Sequence, residues 1–437
     1  MPFPLPDFVT LELQMAELMA EQEKYGFQFD TAAAERVKGE LNAELDSLRA
    51  ELIRQFPFYP GKRFTPKRST KTNGYVAGAP MTKLETFNPT SRNHIAWALT
   101  NHRGAVFEKT TETGKPKVDE ATLKEIHELA ISEGNAALAT NCEQFMRLLT
   151  LQKWLGQLSE GTNSWLNTIE DDGCIHHSCF LGTVSGRNAH KGPNLGQVVS
   201  APWARQLFIP HAGEVMVGCD LEGIEIRVLA HFLWPFDEGD LAKAVLEGDI
   251  HQQNADRVGC TRPQAKTLLY AFQYGAGDEK LGHILQPELG QSAKKSLGAE
   301  LRRKFLEAVP GLGPLVEAIK TKVRNTGKLK GLDGRPIYCR AEHSGLNFLC
   351  QSAGAVLSKR WCVISTELLE AEGLIHGEHY RRCAFVHDEQ VFSVKDGYEE
   401  LVRDLIVEAA SKAGSYYKFR VPIGASGDIG GNWFYVH

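Results

Sequence analysis

The stretch AFVHDEQVFSV, Ala384–Val394, places a histidine and two acids between two apolar runs. The flanking runs predict a buried β-hairpin with His387, Asp388 and Glu389 in its middle. Burying neighbouring carboxylates is unfavourable unless a cation or a proton lies between them. The stretch is therefore either a solvated turn or a site built to bind a positive charge.

The bulk composition is that of an ordinary globular protein. The 437 residues are 42% hydrophobic and 24% charged, and a chain of this length predicts two or three lobes. No apolar run is long enough to span a membrane, and residues 1–14 lack the pattern of a signal peptide. We therefore expect a cytoplasmic protein that has no membrane partner.

The nine cysteines are scattered without a CxxC pair, which predicts reduced and mostly buried thiols. The stretch CIHHSC, Cys174–Cys179, holds two cysteines and two histidines. Its spacing fits none of the usual zinc frameworks, whereas its alternation is typical of a strand. We therefore predict a strand here and not a zinc site.

Basic residues are unevenly distributed in a chain whose net charge is −5. Residues 300–340 contain ten Lys or Arg against four acids, which indicates a local basic surface or a solvated helical face. Residues 56–86 are rich in Pro, Gly and Thr and predict a long, partly disordered basic loop. Its clustered basic residues are Lys62, Arg63, Lys67, Arg68 and Lys71.

A second acidic strand is predicted by VMVGCDLEGIEIRVLAHF, residues 215–232. Asp220 ends the apolar run, and Gly223 lets the chain turn into a helix that carries Glu225. A carboxylate at a strand end is a natural ligand for a hard cation. Many strands nevertheless end in Asp because of turn geometry, so this motif is weak by itself.

A capped helix is predicted by TRPQAKTLLYAFQYGAG, residues 261–277, because Thr261 and Gln264 form a capping-box pattern. Four residues follow at intervals of four and share a face in neighbouring pairs: Arg262, Lys266, Tyr270 and Tyr274. Two cations near a helix N-terminus suit a polyphosphate, although a surface helix with two core tyrosines gives the same pattern.

A further helix start upstream is predicted at Asp249 and His251, where the histidine could add a phosphate donor. A single histidine in such a position is more often structural.

The order of these motifs is more specific than any one of them. They resemble motifs A, B and C of family A DNA polymerases. The stretch TVSGRNAHKGPNLGQ, residues 183–197, is similar to the segment ahead of motif A, and LNFLCQSAGAVLSK, residues 346–359, to the helix before motif C. The resemblance is closest to the replicative polymerases of T-odd bacteriophages and extends from Leu11 to His437.

The resemblance implies an α+β right-hand fold with an antiparallel palm sheet, helical fingers and a helical thumb, and without an exonuclease domain. It places an N-terminal helix packing on the palm at 1–26, and the thumb with its basic loop at 27–159. The palm would comprise 160–230 and 341–437, with the fingers at 231–340 between its two parts.

The resemblance also implies two Mg²⁺ ions, for which Mn²⁺ can substitute. Their ligands would be Asp220, Asp388 and the carbonyl oxygen of Leu221, with Glu389 as a weak or outer ligand. Such a site would run DNA-directed DNA synthesis on dNTPs by two-metal nucleotidyl transfer.

The implied dNTP contacts lie mainly on the capped helix. Arg262, Lys266 and His251 would hold the triphosphate, and Lys266 would also protonate the leaving pyrophosphate. Tyr270 would pack against the sugar and base of the nucleotide. Glu225 would act as the steric gate that excludes a 2′-hydroxyl.

The implied contacts to primer–template DNA come from several segments. Tyr274 would hold the template side of the nascent pair, and His387 would contact the primer-terminal nucleotide. The minor groove or the duplex backbone would be contacted by Arg187, Asn194, Gln197 and Gln351.

The sequence departs from the T-odd phage enzymes in two places. It has no room for their proofreading domain, so we expect no proofreading by this chain. Either the gene is split, with the 3′–5′ exonuclease on a separate chain, or the sequence is a fragment. Residues 56–86 are short compared with the insertion that binds thioredoxin, which disfavours thioredoxin as the processivity factor. The basic loop is instead expected to contact DNA.

Two alternatives remain at this point. A single-subunit RNA polymerase shares the acidic and basic motifs, but a gate against ribose at Glu225 would make no sense in it. A DNA-binding accessory subunit without catalysis usually loses its metal ligands, whereas Asp220 and Asp388 are both present. Phage genome replication is the role that the resemblance favours.

Overall fold

The computed structural model describes residues 5–72, 74–287 and 289–437, apart from the side chain of His251. Its α-helices are α1 Asp7–Tyr25, α2 Thr31–Gln55, α3 Arg92–Arg103, α4 Glu120–Ser132, α5 Ala136–Leu158, α6 Pro202–Gln206, α7 Ile224–Asp237, α8 Asp240–Glu247, α9 Ile250–Val258, α10 Arg262–Gln273, α11 Asp278–Leu285, α12 Gln291–Ala308, α13 Leu312–Thr326, α14 Gly345–Ala371 and α15 Glu399–Tyr416. Its strands are β1 Phe27–Gln28, β2 Phe58–Phe64, β3 Met81–Thr86, β4 Cys174–Ile175, β5 Ser178–Phe180, β6 Ala189–Lys191, β7 Glu214–Leu221, β8 Lys328–Lys330, β9 Pro336–Tyr338, β10 Tyr380–Val386, β11 Glu389–Lys395 and β12 Ala425–Gly430.

The chain forms two compact units, one of which is Glu35–Leu158 and the other the remainder. The larger unit is built on a four-stranded antiparallel sheet with the order β10-β11-β7-β12. Helices α7 to α13 lie between β7 and the later strands in sequence. The prediction of an antiparallel sheet that is split in sequence by a helical insertion is therefore confirmed.

Both faces of β7 are covered, which explains its nearly continuous apolar sequence. Val217, Cys219 and Leu221 belong to the main hydrophobic core, which also contains residues of α14 and α15. The alternate residues face the other side of the sheet, where a 3₁₀ turn at Trp433–Val436 crosses the strand. A Cβ at Gly218 would lie 2.2 Å from the Val436 carbonyl oxygen, so this close crossing requires glycine.

Helix α14 joins the sheet core to α15 and to the N-terminal helix. It has 27 residues, and the indole Nε1 of Trp361 donates to the Ile406 carbonyl of α15 at 2.7 Å. Helix α1 packs on α14 and β10. Glu12 of α1 accepts from Lys359 at 2.7 Å and pairs with Arg335 at 2.9 Å, so buried charges hold this contact together.

The smaller unit is mainly helical and contains one hairpin. Phe56, Phe87 and Phe145 form its aromatic centre, with ring centroids 5.5 Å apart for the first pair. Strands β2 and β3 pair antiparallel within 58–86, where we predicted a partly disordered loop. That prediction was wrong because both strands are largely exposed, so they lack the apolar alternation that identifies a half-buried strand.

The stretch CIHHSC forms two strands instead of the predicted single one. Cys174 lies in β4, which pairs with β1, and Cys179 lies in β5, which pairs with β6. The chain changes partner between them, and a short-range alternation pattern cannot detect that change. All nine cysteines are free thiols and six are buried, which confirms the prediction for the thiols.

Within the part of the chain that the structure describes, none of the helices combines the length and the apolar character needed to cross a membrane.

Candidate active site

Three carboxylates lie together where β7 meets the β10–β11 hairpin. Asp220 of β7 is directly opposite Glu389 of β11, and the Leu221 amide donates to the Asp388 carbonyl oxygen at 3.0 Å. His387 and Asp388 form the two-residue turn, with a φ of 59° at His387. Positive φ is what tight hairpin turns require, so backbone geometry places the two acidic motifs side by side.

Glu389 is held by residues that the sequence did not single out. Its Oε1 accepts from the Trp433 indole at 2.7 Å and lies 3.1 Å from His437 Nδ1. The carboxylate is buried, and these two groups orient it from the turn that crosses β7. The segment GNWFYVH, residues 431–437, contains no local motif, so only the tertiary contact identifies them.

Electrostatics mark Asp220 as the most perturbed member of the cluster. Burial, together with the negative charges of Asp388 and Glu389, raises the pKa of Asp220 to about 7. Burial also raises the pKa of Asp388. These groups are therefore costly to ionise together unless positive charge is added between them.

Arg205 of α6 is a further residue that sequence analysis missed. Its guanidinium lies 5.2 Å from the centre of the Trp433 ring, and its charge acts on Asp220 and Glu389. Burial lowers the pKa of Arg205. It supplies part of the positive field at the carboxylate cluster.

A cleft beside the cluster brings together six of the predicted site residues. Its walls come from α7, α14, the end of α10 and the hairpin turn. The predicted residues that line it are Arg187, Glu225, Tyr274, Gln351, His387 and Asp388. Sequence segments far apart along the chain therefore converge on one surface.

Glu225 begins α7, where Gly223 at the N-cap has a φ of 53°. Its carboxylate accepts from the Tyr274 hydroxyl and lies 3.7 Å from Arg187. Burial raises the pKa of Glu225, and Arg187 opposes that effect. The hydroxyl that donates to Glu225 is thus that of Tyr274. We predicted Tyr274 within the helix, but α10 ends at Gln273 and Tyr274 is its C-cap residue.

The predicted capping box of α10 is confirmed. The Thr261 side chain accepts from the Gln264 amide, and the Gln264 side chain accepts from the Thr261 amide at 3.0 Å. Burial raises the pKa of Tyr270, as do the charges of Glu225 and Asp388, so Tyr270 lies in the field of the carboxylate cluster.

The two predicted triphosphate-binding cations are on the exposed face of α10. Arg262 pairs with Asp249 at 2.6 Å, and Lys266 makes no ion pair with any residue that the structure describes. Asp249 caps the start of α9 by accepting from the Gln252 amide at 3.1 Å, as predicted for a helix start. The side chain of His251 lies outside the described residues.

The remaining predicted DNA contacts are spread over two elements. Asn194 accepts from the Gly196 amide at 3.1 Å and so caps the short 3₁₀ turn Leu195–Gln197. Asn194 and Gln197 are exposed on the loop after β6 and do not line the cleft. Gln351 of α14 donates to Asn347 at 2.8 Å within the cleft wall.

The basic residues of 300–340 are less available than their number suggested. Six of the ten form ion pairs with acids, which lowers the positive field that they present. The pairs are Arg302–Asp278, Arg303–Glu307, Lys304–Glu300, Lys320–Glu317, Arg324–Glu342 and Arg335–Asp333. The count of charges along the sequence could not include these partners, two of which lie outside the interval.

A partly buried carboxylate cluster on an antiparallel sheet, beside a helix with exposed cations, suits metal-dependent nucleotidyl transfer. Residues 70–435 match the sequence profile of DNA polymerase family A. The chain is 34% identical to the DNA-directed DNA polymerase of Escherichia phage T7, and the match covers 98% of this chain and 70% of that protein. The figures are the same for the DNA-directed DNA polymerase of Enterobacteria phage T3.

A solved structure shows the same fold. It is the POL domain of Pol1 from M. smegmatis in complex with DNA primer-template and dNTP, with a TM-score of 0.77 and 19% identity. The match covers 97% of this chain and 70% of that one. The chain belongs to DNA polymerase family A, and it is therefore an enzyme of the DNA-directed DNA polymerase class. Neither the RNA polymerase nor the non-catalytic subunit is favoured.

Proposed function

We propose that this chain extends a primer 3′-hydroxyl with dNTPs on a DNA template, in phage genome replication. The observation that carries the proposal is the pairing of Asp220 with Glu389, next to Asp388, at the edge of a cleft lined by Glu225 and Arg187. The relatives from phages T7 and T3 support the replicative role.

The donor set of the cluster fits divalent cations. Carboxylate oxygens are the ligands that Mg²⁺ prefers, and burial with the charges of Asp388 and Glu389 raises the pKa of Asp220, which favours a cation at the cluster. Asp220, Asp388 and the Leu221 carbonyl oxygen would hold two Mg²⁺ ions, with Glu389 held back by Trp433 as an outer group. Bound there, Mg²⁺ would supply activation of the primer hydroxyl and neutralisation of the triphosphate charge.

The residues of α10 would bind and orient the nucleotide. Arg262 would exchange Asp249 for the triphosphate, which is a stronger anionic partner. Lys266 would hold a proton at Nζ for the leaving pyrophosphate. Tyr270 would pack on the sugar and base, while His251 adds a phosphate contact.

The DNA would be positioned by the cleft and the loop after β6. Arg187, Gln351, Asn194 and Gln197 would contact the duplex, and His387 the primer end. Minor-groove acceptors are common to all correct base pairs, so such contacts test geometry and not sequence. Tyr274 would leave Glu225 to support the template side of the new pair.

We assign the subdomains as predicted, with palm at 160–230 and 341–437, fingers at 231–340 and thumb at 27–159. The compact unit Glu35–Leu158 supports the thumb assignment. Helix α7 continues across residue 230, so the palm-to-fingers boundary would lie inside a helix. The N-terminal helix of 1–26 would brace the palm through α14.

We also propose that these 437 residues extend primers without removing mismatched ends. Removal of a mismatched primer end in a single-turnover assay would contradict this proposal. A separate 3′–5′ exonuclease chain and a processivity factor would act with it in the host cytoplasm, and the short basic loop disfavours thioredoxin as that factor.

Primer extension tests the function directly. Wild type with primer–template, dNTPs and Mg²⁺ should extend the primer, and Mn²⁺ should substitute. Asp220→Asn and Asp388→Asn should each lower the rate on the order of 100- to 1,000-fold, because several kcal/mol of transition-state stabilisation would be lost. Rates are measured by gel-resolved rapid quench.

Asp396→Asn is the matched control, since Asp396 is an exposed acid in the turn after β11 and Asn suits the same turn. It should retain wild-type extension. Full activity in Asp388→Asn, or none in a wild type that still binds DNA, would contradict the proposal.

Sugar selection tests the role of Glu225. Glu225→Ala should raise rNTP incorporation relative to dNTP by about 10-fold or more, because the side chain that would exclude the 2′-hydroxyl is gone. The ratio of kcat/KM for dCTP and CTP is the measurement. Glu222→Ala, at an exposed acid just before α7, serves as the control. An unchanged ratio in Glu225→Ala would remove the gate assignment.

A further inference from the structure

A cluster of soft metal-binding side chains lies apart from the carboxylate site. One ring nitrogen of His177, one of His190 and the Cys179 sulfur lie within 4.8 Å of one another. Cys179 and His190 are directly opposite in the β5–β6 ladder, and His177 precedes Cys179 by two residues. A directly opposite pair in an antiparallel ladder shares one face of the strands, and His177, immediately before β5, lies beside that pair.

The distances suit tetrahedral coordination. The Cys179 sulfur is 3.5 Å from His190 Nδ1. Zinc bonds of about 2.3 Å to sulfur and about 2.0 Å to nitrogen at a tetrahedral angle put those two ligand atoms about 3.5 Å apart. The third ligand atom, a ring nitrogen of His177, lies within 4.8 Å of both.

Gln22 of α1 completes the cluster. Its Nε2 lies 3.1 Å from His177 Nε2 and 3.7 Å from the Cys179 sulfur. Rotating the amide by 180° exchanges its nitrogen and oxygen, which turns the carbonyl oxygen towards the histidine and the thiol. A fourth ligand atom is therefore in reach.

Three polar atoms of the cluster residues lack a hydrogen-bond partner, while His190 presents its other nitrogen, Nδ1, to the Cys179 sulfur and His177 presents Nε2 to Gln22. Gln22 Oε1, His177 Nδ1 and His190 Nε2 are buried and have no hydrogen-bond partner among the residues that the structure describes. Burial lowers the pKa of His177 to about 3 and that of His190 to about 4, so both imidazoles are neutral at pH 7. Buried polar atoms rarely remain without a partner.

A neighbouring cluster provides an internal comparison. Asp172, Cys174 and His176 also lie within 4.8 Å of one another. In that cluster His176 bonds to the Glu23 carbonyl at 2.6 Å and to Asp172 at 3.1 Å, and Cys174 contacts Gln28. Asp172 is exposed, whereas both histidines of the first cluster are buried. The comparison favours the cluster of His177, Cys179 and His190.

We propose that His177, Cys179, His190 and Gln22 form a structural zinc site between α1 and the β5–β6 ladder. The thiol would lose its proton as the Zn–S bond forms, and that proton would be released to solvent, so affinity should rise with pH. The ring of His190 contacts Gly196, since a Cβ there would lie 2.8 Å from it. The metal would thereby brace the loop that carries Asn194 and Gln197.

Metal binding can be measured without any assay of polymerisation, so the test is independent of the proposed function. Purified wild type should contain about one zinc per chain by mass spectrometry of the metal. After removal of zinc, Co²⁺ should restore a thiolate-to-cobalt charge-transfer band and intense visible bands of a tetrahedral ion. Cys179→Ser should lose the charge-transfer band and bind Co²⁺ more than about 100-fold more weakly.

Cys174→Ser is the matched control, because it removes the other thiol of the same segment, and it should keep the band. X-ray absorption of zinc-loaded wild type should show one sulfur ligand and two imidazoles. This measurement needs no variant, so it tests the site even if Cys179→Ser does not fold. A wild type that binds no zinc, a site of oxygen ligands alone, or a band that vanishes in Cys174→Ser and persists in Cys179→Ser would overturn the proposal.

Discussion

At the residue scale, the position of Asp220 in the strand register determines its electrostatic environment. Its position opposite Glu389 follows from the antiparallel register, and the same register brings like charges together. The resulting pKa of about 7 means that the folded, metal-free protein binds a proton more readily than the unfolded chain does. The contribution of Asp220 to stability therefore falls as pH rises from about 4 to about 7.

We expect Asp220→Asn to stabilise the metal-free protein at pH 8. The variant lacks the carboxylate that is costly to ionise there, so its melting temperature should exceed that of wild type by about 2–4 °C. The difference should shrink at pH 5, where wild type holds the proton. Thermal unfolding with EDTA at both pH values is the measurement.

Asp396→Asn should show no comparable change, since that exposed acid lies outside the cluster. Equal melting temperatures for wild type and Asp220→Asn at pH 8 would mean that ionised Asp220 does not destabilise the metal-free protein.

Ion pairing with acids determines how much positive charge each basic segment presents to DNA. The five clustered basic residues of 56–86 are exposed and make no ion pair with the residues that the structure describes. Most of the basic residues of 300–340 are instead paired with acids. The β2–β3 hairpin, with a smaller number of charges, therefore presents the more available positive field.

The combined variant Lys67→Ala, Arg68→Ala and Lys71→Ala should weaken primer–template binding by about 10-fold in moderate salt. Each lost phosphate contact removes about 0.9 from the slope of log affinity against log salt concentration. The slope should thus fall by about 2 to 3. Fluorescence anisotropy titrations at several salt concentrations measure both quantities.

A triple alanine variant of Arg303, Lys304 and Lys320 is the control, because it removes the same total charge from paired side chains. It should change affinity by less than about threefold. An equal loss in the two variants would show that total charge, and not the hairpin, governs binding.

Buried ion pairs connect α1 to the rest of the larger unit. Lys359 is 1% exposed, and its ammonium is bonded to both carboxylate oxygens of Glu12 at 2.7 and 2.8 Å. Arg360 pairs with Asp7 at 2.9 Å in the same contact. Removing one partner of such a pair leaves an uncompensated charge in the interior.

Glu12→Ala should destabilise the protein by about 3 kcal/mol, which corresponds to a fall of about 5 °C in melting temperature. Adding Lys359→Met to that variant should recover most of the loss, because the buried ammonium is then replaced by an apolar side chain. Differential scanning calorimetry of the three proteins tests both statements.

Glu317→Ala breaks the exposed pair with Lys320 and should lower the melting temperature by no more than about 1 °C. A similar small effect in Glu12→Ala would indicate that Lys359 finds water or another partner.

Local signals in the sequence predicted several elements well. The capping box of α10, the helix start at Asp249 and the strand that ends near Asp220 each depend on residues within a few positions. The β2–β3 hairpin was missed for the same reason, since its exposed strands carry no local apolar pattern.

The sequence by itself determined the order of the three motifs, and through them the family, because each motif is a local combination of residue types. The tertiary structure alone decided the register that sets Asp220 against Glu389 and the contacts of Trp433 and His437. It also decided the pairing of Cys179 with His190 and of Glu12 with Lys359. These contacts join residues distant in sequence, and their geometry depends on how strands and helices pack, which no short window of residues contains.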